Sequence, residues 1–255
     1  MVNRVWDHLA PTMPDQARQA YFDCASGASG EMMLGSLISA GLLEADLRDA
    51  VAPLQRAGAS FELRSREVEK GPVSAIEVSI GAQVPNVHAH LDDMLALIRA
   101  AQLAPGVMTR ASSILRRLAD AAAREAGQRP GDLPFDGTSG IDGVVTAVGV
   151  AGSLASLGVN EVSASPVNVG EPNPVVAALL AGAPTYSDSP GVPLVTPLGA
   201  ALLAELVVEW PASPPFAGGQ IGHGAGRRDL PRPNVMRCFL GYGTIPAPPT
   251  PLRPE

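Results

Sequence analysis

The sequence predicts an α/β fold of mixed α+β type, a mixed sheet that carries a β-hairpin and is flanked by helices. Three observations lead there. Residues 61–68 and 73–80 alternate apolar and polar side chains on either side of Lys70-Gly71-Pro72, the pattern of a hairpin, so the sheet is not purely parallel. Residues 31–40, 44–57, 91–101 and 106–127 carry apolar side chains at helical spacing. Residues 141–157 are apolar and small throughout and read as a buried helix.

The remaining elements follow in chain order. Residues 1–19 read as a polar arm or a short loose helix, which sets an N-terminal arm at 1–20. Tyr21-Phe22-Asp23-Cys24 reads as the end of a strand, and residues 25–30 as a loop of small residues. Met33, Leu34, Leu37 and Ile38 share one face of the next helix, which Gly41 stops. Pro85-Asn86 breaks the chain before the two amphipathic helices at 91–101 and 106–127. Residues 128–140 form a loop, and 159–169 a strand. Asn173 is an N-cap with Pro174 at the first helical position of a short helix to residue 181. Thr196-Pro197 uses the same device to open a helix through 208. Residues 210–219 are a connector rich in Pro and Gly, and 220–243 form two strands around a turn at 229–234. The proline-rich residues 244–255 are expected to be a disordered tail. With no strong linker inside, residues 21–243 are expected to form one domain. Loop 128–140 is the boundary if there are two.

Bulk properties exclude several classes. With 255 residues, 46% of them hydrophobic, the chain can bury a sizeable core. The net charge is −7 and no Lys/Arg-rich run occurs, so the footprint of a nucleic-acid binder is missing. Two cysteines, Cys24 and Cys238, make no disulfide framework. The N-terminus has no apolar signal core. The alanine-rich stretches are broken by Gly, Pro or charge well short of the roughly 20 residues that span a bilayer. A cytoplasmic protein without a membrane partner is expected.

Four segments could carry chemistry. In Asp23-Cys24-Ala25-Ser26-Gly27-Ala28-Ser29-Gly30-Glu31, small residues precede a helix N-terminus, where backbone N–H groups and the hydroxyls of Ser26 and Ser29 suit a phosphate. The same residues also fit a tight turn with a serine cap, and no Walker lysine follows. His88-Ala89-His90 would place two imidazoles on one side of an extended segment, a pair suited to nickel, or His90 only caps the next helix. Asp142 opens the buried helix either as a charge partner of its N-terminus or as a site carboxylate. In Ile221-Gly222-His223-Gly224-Ala225-Gly226-Arg227-Arg228-Asp229, alternate glycines bare one side of a strand before Arg227, Arg228 and Arg232, a set suited to an anionic ligand. The alternative is a solvated turn with Arg–Asp pairs.

Taken together and in this order, the segments resemble the N-terminal part of the nickel insertion (LarC) family. Tyr21-Phe22-Asp23-Cys24-Ala25-Ser26-Gly27-Ala28-Ser29-Gly30-Glu31-Met32 follows the family's opening pattern, with Glu31 where Asp is usual. His88-Ala89-His90-Leu91-Asp92-Asp93, Thr196-Pro197-Leu198-Gly199-Ala200-Ala201-Leu202 and Ile221 through Asn234 follow three further family segments. The resemblance runs from about Tyr21 to Leu240. It departs at Pro134 to Thr146, where Pro134 and Asp136 replace two family histidines, Gly137 a glutamate and Thr146 an aspartate, and Asp142 is kept. A later family segment is deleted between Gly170 and Pro174.

The resemblance implies insertion of nickel(II) into a pyridinium-3,5-bisthiocarboxylic acid mononucleotide. In that ligand exchange, deprotonated thiocarboxylates and a ring carbon take the place of the metal's carrier ligands. It also implies CTP with Mn or Mg, used with a C-terminal domain that would come from a separate partner protein. On this reading Ser26, Gly27, Ser29, Gly30, Gly224, Gly226, Arg227, Arg228 and Arg232 hold the phosphorylated pyridinium nucleotide. His88, His90 and His223 face the metal, and Asp142 and Cys24 are the catalytic groups. A homo-oligomer is compatible with it. The alternative is a catalytically silent binding or partner protein for a phosphorylated nucleotide-like ligand that has lost the metal cluster.

Overall fold

The computed structural model describes residues 16–82, 89–135, 140–189, 191–216 and 219–244. A seven-stranded mixed sheet is its frame, built in the order β2-β3-β8-β9-β1-β4-β7. The strands are β1 (Gln16–Asp23), β2 (Phe61–Lys70), β3 (Val73–Ala82), β4 (Val159–Ala164), β7 (Val207–Glu209), β8 (Gln220–Ala225) and β9 (Val235–Thr244). The expected hairpin is β2–β3, antiparallel from Phe61↔Ala82 to Lys70↔Val73. β1 pairs antiparallel with β9 and parallel with β4, and β3 meets β8 in parallel, so the sheet is mixed. Two-residue strands β5 (Val167–Asn168) and β6 (Thr185–Tyr186) form a second small sheet.

Helices α1 (Gly30–Ser39), α2 (Glu44–Arg56), α3 (Leu91–Ala100), α4 (Pro105–Ala126), α5 (Ile141–Ser156), α6 (Pro174–Leu179) and α7 (Pro197–Leu206) complete the fold. α1 lies on β8, β3 and β9, and α5 packs on α1, α2 and α4. Their apolar sides join Phe22, Cys238 and Leu240 of the sheet in one hydrophobic core. α5 is buried almost all round, as its unbroken apolar sequence requires. α4 is 22 residues long, shows one polar face, and ends at Gly127 in the left-handed conformation (φ 64°). The described helices include none long and apolar enough to cross a membrane.

Three boundaries differ from expectation. Residues 16–20, read as arm, belong to β1, which is paired on both sides through Gln16↔Thr244 and Arg18↔Val159. Small alanines alternating with Arg and Gln gave this strand no apolar signature, and its pairing is with distant segments. The strand expected at 159–169 breaks at Ser165-Pro166 into β4 and β5. The helix opened by Thr196 stops at Leu206, and the next three residues pair with β4 as β7. Residues 1–15, Pro85-Asn86, His88, residues 136–139 and the tail from 245 onward lie outside the described residues.

Candidate functional site

Two glycines bring two helix N-termini together. Gly27 has φ +88°, and a Cβ there would lie 2.6 Å from the Leu194 carbonyl carbon. A Cβ on Gly199 would lie 2.8 Å from the Ala28 carbonyl carbon. Without either side chain the two loops touch, and Ala28 N–H donates to Leu194 O (3.1 Å) while Thr196 N–H donates to Ala28 O (3.0 Å). The N-caps Ser29 and Thr196 therefore sit side by side. Ser29 Oγ accepts from Met32 N–H (3.2 Å), and Thr196 Oγ1 from Gly199 N–H (3.0 Å). Among the described residues no acceptor takes the N–H of Gly30 or Glu31. The positive ends of α1 and α7 thus face one place, with free donors at the first.

That place is a cleft of about 340 Å³. Ser29, Glu31, Asn173, Thr196, Arg227 and Arg228 line it together with residues 193–195. Asn173 is a third N-cap, its Oδ1 accepting from Val176 N–H (2.9 Å). The two arginines come from the turn between β8 and β9. Arg228 donates to Pro193 O across the cleft (2.7 Å), and Arg227 stands 3.8 Å from Glu31. The turn is pinned at its base by Gly226 N–H to Asn234 O (2.8 Å) and Asn234 Nδ2 to Arg228 O (2.9 Å). Adjacent helix N-termini and two guanidinium groups make the cleft receptive to an anion.

The structure divides the expected nucleotide-binding residues. Ser29, Gly226, Arg227 and Arg228 line the cleft. The other five lie outside the lining, packed or paired within the protein, although among the described residues the N–H of Gly30 is left without an acceptor. Ser26 is buried and donates to Pro233 O (3.1 Å). Gly27 admits the Leu194 backbone, and Gly30 abuts Thr146 of α5. Gly224 and Gly222 bare their strand for α1 rather than for a ligand, since a Cβ on Gly224 would meet Met32 O and lie 2.6 Å from Ser36 N. Arg232 is paired in bidentate fashion with Asp188, one of these contacts measuring 2.8 Å. Asp188 also accepts from Asn168 Nδ2 (2.6 Å), which in turn donates to Ala25 O (2.9 Å). Arg232 therefore ties the β8–β9 turn to the loop after β1.

Cys24 is fully buried, with Sγ 3.7 Å from Phe22 O. Burial first, then the neighbouring Asp23 charge, pushes its thiol far above the ordinary range. The neutral, packed thiol is the form that this burial favours. Asp142 stands in the first turn of α5, outside the cleft wall. Its carbonyl accepts from Thr146 Oγ1 (2.8 Å), one turn before Thr146 meets Gly30.

The two described histidines, His90 and His223, stand at different places in the fold. His223 projects to the sheet face opposite α1, opposite Arg237, which is ion-paired with Asp23. Burial, then the Arg237 charge, lowers its pKa below the usual histidine value. His90 is the N-cap of α3. Its N–H donates to Asp93 Oδ2 (3.1 Å), and its buried Nδ1 has no hydrogen-bond partner among the described residues. Ala89 and Phe135 exchange both backbone hydrogen bonds at 2.9 Å, which sets His90 opposite Pro134. Among the described residues no group of three or more His, Cys, Asp or Glu is arranged to hold a metal ion. His88 lies outside them.

Sequence reading assigned no binding role to Glu31, Asn173, Thr196 or the 193–195 segment. The caps Asn173 and Thr196 were visible as helix starts, each followed by Pro. That their helices open onto one cleft depends on contacts between segments about 170 residues apart.

These features define an α/β protein with an anion-receptive cleft at paired helix N-termini. The chain belongs to the nickel insertion protein family, whose model matches residues 20–251. A relative from Roseiflexus castenholzii is 37% identical over 238 residues, 88% of this chain and 59% of its own length. A pyridinium-3,5-bisthiocarboxylic acid mononucleotide nickel insertion protein from a Nocardioides species is 35% identical over 87% of this chain and 59% of its own length. One of the same description from Desulfitobacterium hafniense is 33% identical over 88% of this chain and 58% of its own length. The chain thus spans about three-fifths of the length of these relatives. No solved structure matches it.

Proposed function

We propose that the chain is the mononucleotide-holding part of a nickel-insertion activity, with nickel(II) as the cargo and a pyridinium-3,5-bisthiocarboxylic acid mononucleotide as the acceptor. The observation that carries this is the cleft. Its paired helix N-termini and two arginines suit a phosphate, and relatives covering almost all of this chain are named for a mononucleotide substrate.

In this reading the phosphate takes the N–H groups of Gly30 and Glu31 together with Arg227 and Arg228. The chain orients the mononucleotide so that its sulfur and carbon donors meet the incoming metal, a contribution of positioning. Asp142 is the carboxylate assigned to proton removal. His90, whose buried Nδ1 has no partner among the described residues, is the described imidazole assigned to the metal side, joined by His88. CTP and Mn or Mg enter only through a companion C-terminal domain.

The test mixes the purified chain, nickel(II) and the bisthiocarboxylate mononucleotide, with and without CTP, Mn or Mg and the companion domain. The nickel-pincer product is followed by absorbance and mass. Product that forms with the intact chain and falls at least about tenfold in an Arg227→Ala/Arg228→Ala variant is the expected result, since two charge-assisted contacts are removed. Full product in that variant would remove the cleft from the reaction. Mononucleotide binding without product would mark a binding protein instead.

A further inference from the structure

The cleft holds one group that an anion site does not require. Glu31 stands in its wall beside the two arginines. Its side chain is only 16% exposed, and among the described residues its ion-pair neighbour is Arg227, 3.8 Å away and 55% exposed. That separation is too long for a hydrogen bond, and no described residue donates one to the carboxylate. A carboxylate in the first turn gains from the helix dipole. It also repels any purely anionic ligand that enters, and its partial burial removes water that would otherwise screen it.

We infer that Glu31 reads a positive charge on the ligand, so that the cleft selects a zwitterion: a phosphate at Gly30, Arg227 and Arg228, and a fixed ring cation at Glu31. This deepens the reading of the cleft as a mononucleotide site and rests on it. A pyridinium mononucleotide has both charges, whereas its dihydropyridine form keeps the phosphate and loses the ring charge. The carboxylate discriminates between them without touching the phosphate. When the ligand enters, Arg227 turns from its loose contact with Glu31 to the phosphate, and the ring cation takes its place.

The experiment titrates the full chain with nicotinamide mononucleotide and, separately, with its reduced dihydro form, by calorimetry. The intact protein is expected to bind the pyridinium form on the order of tenfold more tightly, an effect between that of a screened surface pair and a desolvated one. Glu31→Gln should erase this preference by weakening the pyridinium form and relieving the repulsion of the reduced form, and Glu31→Asp, which keeps the charge, should retain most of it. Equal binding of both forms by the intact protein, or a preference that survives in Glu31→Gln, would overturn the inference and leave the phosphate reading standing. Failure of both forms to bind would overturn the phosphate reading and the inference with it.

Discussion

Replacing Gly224 by alanine tests how the cleft is held. A Cβ at this position would lie 2.6 Å from Ser36 N, 2.8 Å from the Met32 carbonyl carbon and closer still to Met32 O. All three atoms are backbone of α1, so no side chain can turn aside and the helix itself must lift from β8. Overpacking of a tight contact costs about 1–3 kcal/mol, and a backbone-to-backbone clash belongs at the upper end. For a denaturation slope near 3 kcal/mol/M, a loss of about 3 kcal/mol lowers the urea midpoint by roughly 1 M. Gly81→Ala on β3 is the matched control. Nothing lies within 4 Å of its Cβ position, so its stability should stay within about 0.5 kcal/mol of the parent. Lifting α1 also displaces Ser29 and Glu31, so mononucleotide affinity should fall in Gly224→Ala and not in Gly81→Ala. Equal midpoints for the two variants would refute the claim that the glycines of β8 serve as the seat of α1.

Three further outcomes follow from the same geometry. Thr196→Ala removes the acceptor of Gly199 N–H and should cost about 1 kcal/mol in urea denaturation, whereas Thr196→Ser should recover most of it. Cys24 and Cys238 are both fully buried with thiols pushed far up by burial, so a thiol reagent should label them only at the rate of unfolding; fast labelling of the native protein would contradict this. Arg232 first, then Asn168 and Ser189, hold the Asp188 carboxyl well below its ordinary value. The stability this contributes is present above the unfolded-state pKa of about 4 and is lost as pH falls below it toward the folded value. Denaturation midpoints of the parent should therefore drop more steeply below pH 4 than those of Asp188→Asn.

Local chemistry made much of this fold readable in the sequence. The hairpin shows as alternation around Gly71-Pro72, and the caps Asn173 and Thr196 show as a polar acceptor followed by Pro. Both signals lie within a few residues, which is why β2, β3 and the starts of α6 and α7 fall where expected. The glycine segments were harder. Gly27, Gly30 and Gly224 mark close approach, but a sequence does not state whether the approaching group is a ligand or another part of the chain. Here it is Leu194, Thr146 and α1. Arg232 reads like Arg227 and Arg228, yet its partner Asp188 is 44 residues away, so only the fold reveals that it is engaged. Glu31 stood inside the recognised motif, and its facing Arg227 appeared only when β8 came to lie beneath α1.

The central claim is that the cleft between the N-termini of α1 and α7 holds the mononucleotide phosphate, and a crystal structure of the chain with nicotinic acid mononucleotide tests it most directly. The account predicts the phosphate within hydrogen-bond distance of the Gly30 and Glu31 N–H groups, with Arg227 and Arg228 turned onto it. A phosphate bound instead on the opposite face of the sheet, at His223 and Arg237, with the cleft left to water, would contradict it.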